Sequence, residues 1–202
     1  MEYLLFIVWL IMFAWLVTKI SFFKRSGLSN PQLSILFLLK VMAGIFYGWI
    51  GLYYGNLAQM SDTWSFQVSS IQEYHLLYSN PHQYLINFFR DPSDGSILNF
   101  LGSTDSFWND LKSNVVIKML SVFNILSFGN YYVNVIFYSF LTMFGAIAVY
   151  RVMNDIFPQK KIPVLLATFL VPSFLYWTSG IHKDGLIFTG ISIIVYNIYF
   201  GL

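Results

Sequence analysis

The chain has 202 residues, of which 57% are hydrophobic, 20% aromatic and only 10% charged. Soluble domains carry about 25% charged residues, so the composition argues against a soluble enzyme, a nucleic-acid binder and a disordered tail, and for a membrane protein. The net charge of +2 is too small to imply a polyanionic partner, and the absence of cysteine removes disulfides, thiolate catalysis and cysteine-ligated zinc.

A spanning helix needs about 20 mostly apolar residues. Five stretches meet or approach that length: residues 3–23, 33–55, 131–150, 162–181 and 186–202. The reading is an all-α polytopic membrane protein, one membrane domain over 1–202, with about five transmembrane helices. The first stretch has no basic residues before it and Lys24-Arg25 after it, which marks an uncleaved helix rather than a signal peptide. The last stops with no charged anchor, as though cut near the exit of a helix, so the expectation is a chain incomplete at its C-terminus.

Charge divides by loop. Lys19, Lys24, Arg25 and Lys40 surround the first connection, and Arg151, Lys160 and Lys161 the third. The positive-inside rule makes both cytoplasmic. Every acid except Asp155, and all three histidines, then fall outside. The expected layout is a multi-pass inner-membrane protein with its N-terminus outside and its C-terminus in the cytoplasm.

Within the second span, Gly44, Gly48, Gly51 and Gly55 share one helical face. The bland reading, a packing seam within the bundle, is preferred over a docking face for partner helices. Lys40 is read as snorkelling to the cytoplasmic interface. In the fourth span, Pro172-Ser173 predicts a kink. Asn134, Thr142, Thr189, Ser192 and Asn197 are read as satisfied by neighbouring helices.

The outer loop, 56–130, is too long for a simple connection and too aromatic for disorder. Pro81, the turn at Asp91 to Gly95, and Gly102 divide it. Near its end, apolar Val115, Val116, Met119, Leu120, Val122, Phe123 and Leu126 oppose Asn114, Lys118 and Ser121. This pattern reads as an interfacial amphipathic helix, or alternatively as a helix buried in an outer subdomain.

Two polar clusters stand at outer helix ends: Ser61-Asp62-Thr63-Trp64 and His182-Lys183-Asp184-Gly185. A carboxylate there can act as general base toward an acceptor hydroxyl, and a lysine as a point charge on a phosphate. The plainer alternatives are a helix cap at Asp62, assisted by Thr63 or Ser61, and a solvated turn at Lys183-Asp184. Glu73, His75 and His82 match no strong metal signature, and no cofactor is implied; a divalent metal has no sequence support.

The stretch YYGNLAQMSDTWSFQ resembles the first-loop acidic motif of GT-C polyprenyl-phosphate-dependent glycosyltransferases. VPSFLYWTSGIHKDGLIF resembles a segment of bacterial cell-envelope proteins of this broad type. The resemblance covers residues 50 to 202 in arrangement rather than strict sequence. It implies Asp62 as the catalytic residue and Lys183, with Asp184 and His182 beside it, as binders of the lipid phosphate. The implied partners are membrane lipid and a polyprenyl-phosphate-linked sugar. Family members have many more spans and often a soluble C-terminal domain. Two other readings stay open: a polysaccharide polymerase or ligase relying on Arg90, Lys112 and Lys118, and a non-catalytic scaffold or transporter subunit. Transport is the weaker because only Pro172 marks a break and no charge is read at mid-depth.

Overall fold

The structure, a computed structural model, describes residues 2–58, 62–86 and 107–201, the side chains of 55–58 and 107–112 excepted. The described residues form helices and no strand: α1 (Glu2–Val17), α2 (Ser21–Lys24), α3 (Asn30–Ala58), α4 (Asp62–Ser79), α5 (Pro81–Ile86), α6 (Phe107–Ser127), α7 (Tyr131–Ile156), α8 (Lys161–Phe169), α9 (Pro172–Ser179) and α10 (Lys183–Gly201). Arg90, the Asp91–Gly95 turn, Gly102 and Ser61 lie outside the described residues.

Three helices, α3, α7 and α10, are long and apolar enough to cross a membrane. The bent pair α8 and α9 can be counted as a fourth, broken span. The stretch expected as a first span is interrupted. Thr18 turns its hydroxyl onto the Trp15 carbonyl at 2.7 Å, and the amides of Thr18 and Lys19 bond three residues back. That tightened turn ends α1 after 16 residues, short of the usual length of a span.

Local sequence explains the other boundaries. Ser29 and Gln32 form a reciprocal capping box at the start of α3: the Ser29 amide donates to Gln32 Oε1 at 2.9 Å, and the Gln32 amide to Ser29 Oγ at 3.4 Å. Asn130 caps α7 by accepting from the Val133 amide at 3.1 Å. Pro172 does not kink a continuous helix. It opens a new one, where its missing N–H costs nothing, and α8 and α9 meet at 49°.

The helix pairings follow from matched residues. Gly44 lies against Val135 and Gly48 against Tyr131, so α3 and α7 run antiparallel. Gly145 lies against Thr189, and Arg151 sits over the rings of Tyr196 and Phe200, so α10 runs parallel to α7. A helix parallel to its predecessor needs a return path, which α8 and α9 supply. The seam read from glycine spacing is filled from within the chain at Gly44 and Gly48. Thr142, Thr189, Ser192 and Asn197 bond carbonyls one turn back in their own helices, not neighbouring helices. Asn134 does reach other elements, donating to Gln67 and to Asn124.

The amphipathic helix α6 lies differently from an interfacial helix with its polar face in water. Asn114, Lys118, Ser121 and Asn124 are buried, whereas Val115, Val122 and Leu126 form an exposed stripe. The polar face is buried because α4 and α5 offer it partners: Asn124 donates to Ser70 Oγ at 3.0 Å, and Tyr84 and Ser121 share a 2.8 Å hydroxyl contact. The outward stripe of α4 is mostly polar, through Ser65, Gln72, His75 and Ser79. The hairpin is therefore amphipathic as a unit, with one helix supplying each face.

A Cβ added at Gly48 would overlap the Tyr131 ring, while one at Gly190 would meet open space. Gly48→Ala is expected to cost about 1–3 kcal/mol, and Gly190→Ala to stabilise by about 0.5–1 kcal/mol. Reversible unfolding in detergent micelles measures both.

Candidate functional site

Asp62 and the His182 turn are far apart in sequence and meet in space. Asp62 occupies the first turn of α4, where the exposed amides of a helix start favour a carboxylate. Its neighbours fix the helix. Thr63 shares a 2.8 Å contact with the Tyr131 hydroxyl, so it bridges to α7 rather than assisting a cap. Trp64 stacks on Tyr131 with centroids 4.2 Å apart, and its indole N–H donates to the Gly48 carbonyl at 2.8 Å.

His182 belongs to the non-helical turn between α9 and α10. Its side chain is 11% exposed, against 53% for both Asp62 and Asp184. Nε2 lies 3.8 Å from Asp62 Oδ2, and Nδ1 lies 3.2 Å from Asp184 Oδ2. The Asp184 amide also approaches Nδ1, at 3.4 Å. Nδ1 can serve only one of these at a time. With the proton on Nδ1 it donates to the Asp184 carboxylate, which leaves Nε2 as a free base facing Asp62. With both nitrogens protonated, the imidazolium lies between two carboxylates. The two acids approach different nitrogens of the ring, Asp184 within hydrogen-bond distance and Asp62 beyond it. Tyr47, Phe66 and Trp177 surround the imidazole, their centroids 6.0 to 6.5 Å away.

The turn is pinned from two sides. Lys40, on α3, is 3% exposed. Its Nζ donates to the Thr178 carbonyl at 2.7 Å, to the Thr178 hydroxyl at 3.2 Å and to the Ser179 hydroxyl at 3.3 Å. On the other side, the Tyr138 hydroxyl of α7 donates to the His182 carbonyl. Close approach is possible because glycine occupies the contact points: Gly44 faces the Ser179 carbonyl, Gly180 the Tyr47 ring and Gly185 the Tyr138 hydroxyl.

The expectation that Lys40 snorkels to an aqueous interface is therefore corrected. The reason is its helical face. Lys40, Gly44 and Gly48 recur every four residues, so the lysine points into the seam rather than toward an edge. Its place inside the apolar run of α3 also removes the sequence argument that no charge lies within a span. That spacing was the signal that could have found it.

The lysine of the α4–α6 hairpin stands apart from this group, whereas Lys183 adjoins it in sequence. Lys183 is half-buried in the first turn of α10. Glu73 and Lys118 form an ion pair at 2.5 Å, and Lys118 also donates to the Tyr84 carbonyl at 3.0 Å and sits over the Tyr84 ring. Lys118 is thus a structural cation inside the α4–α6 hairpin. Arg90 and the Lys112 side chain lie outside the described residues. Among the described residues, no group of three His, Asp or Glu side chains is placed to share a metal ion. In comparisons with known proteins, no family, curated protein or solved structure matches this chain.

Lys118 is 2% exposed and its partner Glu73 18%. Removing one partner of a buried pair leaves the other uncompensated, so Lys118→Met is expected to destabilise by about 3–5 kcal/mol. The double variant Glu73→Gln/Lys118→Met is expected to recover most of that loss, as measured by unfolding in detergent.

Proposed function

We propose that this chain is a membrane-embedded transferase of the GT-C type. It moves a sugar from a polyprenyl-phosphate donor at the outer face of a bacterial inner membrane, in cell-envelope glycan assembly. The observation that carries this reading is the meeting of Asp62 with His182 and Asp184 across two segments singled out independently in the sequence.

In this reading Asp62 takes the proton from an acceptor hydroxyl as its oxygen bonds to the anomeric carbon of the donor. The bond from that carbon to the phosphate oxygen breaks, and the polyprenyl phosphate leaves with the electron pair. Lys183 balances the growing charge on the leaving phosphate as a point cation. His182, backed by Asp184, receives the proton that Asp62 collects. A largely apolar groove of about 830 Å³ is lined by Leu4, Val8, Val68, Ile71, Trp64 and Tyr131, with the polar Glu2 and Gln67 also on its walls. Its walls suit an aliphatic chain, and Trp64 lies two residues from Asp62. The topology assigned to this function has the N-terminus outside and the C-terminus inside, with the apolar run from α1 through α2 and the bent pair α8–α9 crossing alongside α3, α7 and α10.

One observation favours a second reading. A buried lysine beneath a broken span is an arrangement that transporters use, so a solute-conducting subunit is the alternative. Donor turnover separates the two, because a conducting subunit consumes no donor.

Asp62→Asn is expected to lower transfer of labelled sugar from a polyprenyl-phosphate donor by about 10²–10⁴-fold, with membrane insertion and folding retained. A wild-type rate in that variant contradicts the assignment of Asp62.

A further inference from the structure

Lys40 is a buried ionisable group that the proposed chemistry leaves unused. It touches neither Asp62 nor the imidazole by any hydrogen bond found, yet it binds the two residues that end α9. Three features converge on that point. The first is chemical: three donor contacts reach three oxygens of Thr178 and Ser179, so the amine satisfies the carbonyl end of a half-helix that has no following turn. The second is steric. Gly44, one helical turn along α3, admits the Ser179 carbonyl, and a Cβ there would stand 2.6 Å from that oxygen. The third is connectivity, since only Gly180 and Ile181 separate Ser179 from His182.

Backbone without helical bonding inside an apolar bundle requires partners from the protein itself. Lys40 meets that requirement on the α3 side of the turn, and Tyr138 on the α7 side. Without the Lys40 contacts α9 lacks its end anchor, and the turn keeps only its Tyr138 contact.

We infer that Lys40 is the positioning residue of the site: its amine locks the end of α9 and thereby holds His182 against Asp62. This rests on the reading of Asp62 and His182 as one site, but not on the reaction assigned to it.

The test uses the full chain, which has no cysteine of its own. The pair Asp62→Cys/His182→Cys is joined by a short bifunctional methanethiosulfonate, and the control pair Asp155→Cys/Tyr199→Cys reports the opposite end of α7 and α10, where Tyr199 donates to Asp155 at 2.9 Å. Lys40→Met is expected to reduce the 62–182 cross-link at least fivefold and leave the 155–199 cross-link unchanged. An unchanged yield at 62–182 overturns the proposal. Should Lys40→Met lose both cross-links, the decision passes to Thr178→Val/Ser179→Ala, which keeps the lysine and removes two of its acceptors. A selective drop at 62–182 supports the proposal there, and no drop overturns it. These yields do not depend on sugar transfer, so a failed transfer assay leaves the inference standing or falling on its own.

Discussion

Lys40 brings its amine into the bundle, and the end of α9 sets three oxygens around it. Magnitudes show why this contact governs its surroundings. Burying an ammonium costs several kcal/mol even after relaxation. Hydrogen bonds to a charged group return about 1.5–3 kcal/mol each, and the carbonyl end of a helix adds up to about 2 kcal/mol. The contacts at the end of α9 together offset the cost of burying the amine. The lysine and the end of α9 are therefore tied to one arrangement, and the non-helical turn that follows inherits it. Tyr138 from α7 closes the other side, and glycines at positions 44, 180 and 185 let the backbones come near enough.

The hairpin of α4 and α6 obeys the same logic at larger scale. The polar face of α6 meets α4 and α5 instead of water, and its apolar stripe faces out. Gln67, Ser70, Asn124 and Asn134 form a connected chain of amide and hydroxyl contacts linking α4, α6 and α7. Such a network is worth most when nearly every member is satisfied, and it fixes how α4 meets α7. Since Asp62 begins α4, this network and the Lys40 contact set the two halves of the site from opposite directions.

Much of this was readable from sequence, and the failures have identifiable causes. The apolar runs that became α3, α7 and α10 stand out by length and hydropathy. The convergence of the segments around Asp62 and His182 was accessible because loop charge placed both at one end of the bundle. Hydropathy counts residues and not turns, so it ran through the break at Thr18–Ile20 and merged α1 with α2. It treated Pro172 as a bend rather than the start of a helix for the same reason. A single helical wheel gives the amphipathic pattern of α6 but not the sign of its environment. Which face is buried was decided by Glu73, Ser70 and Tyr84, distant in sequence. Lys40 was misplaced because a lone lysine near a span end suggests an edge, whereas its spacing to Gly44 and Gly48 places it in the seam.

The account depends on Asp62 and the His182 turn forming one site open to one aqueous compartment. Asp62→Cys and Asp184→Cys, each introduced singly into the cysteine-free chain, provide its most direct test. Sealed membrane vesicles of one orientation are treated with a membrane-impermeant maleimide, before and after permeabilisation. The account predicts that both cysteines react from the same side. Reaction of the two from opposite sides would contradict it.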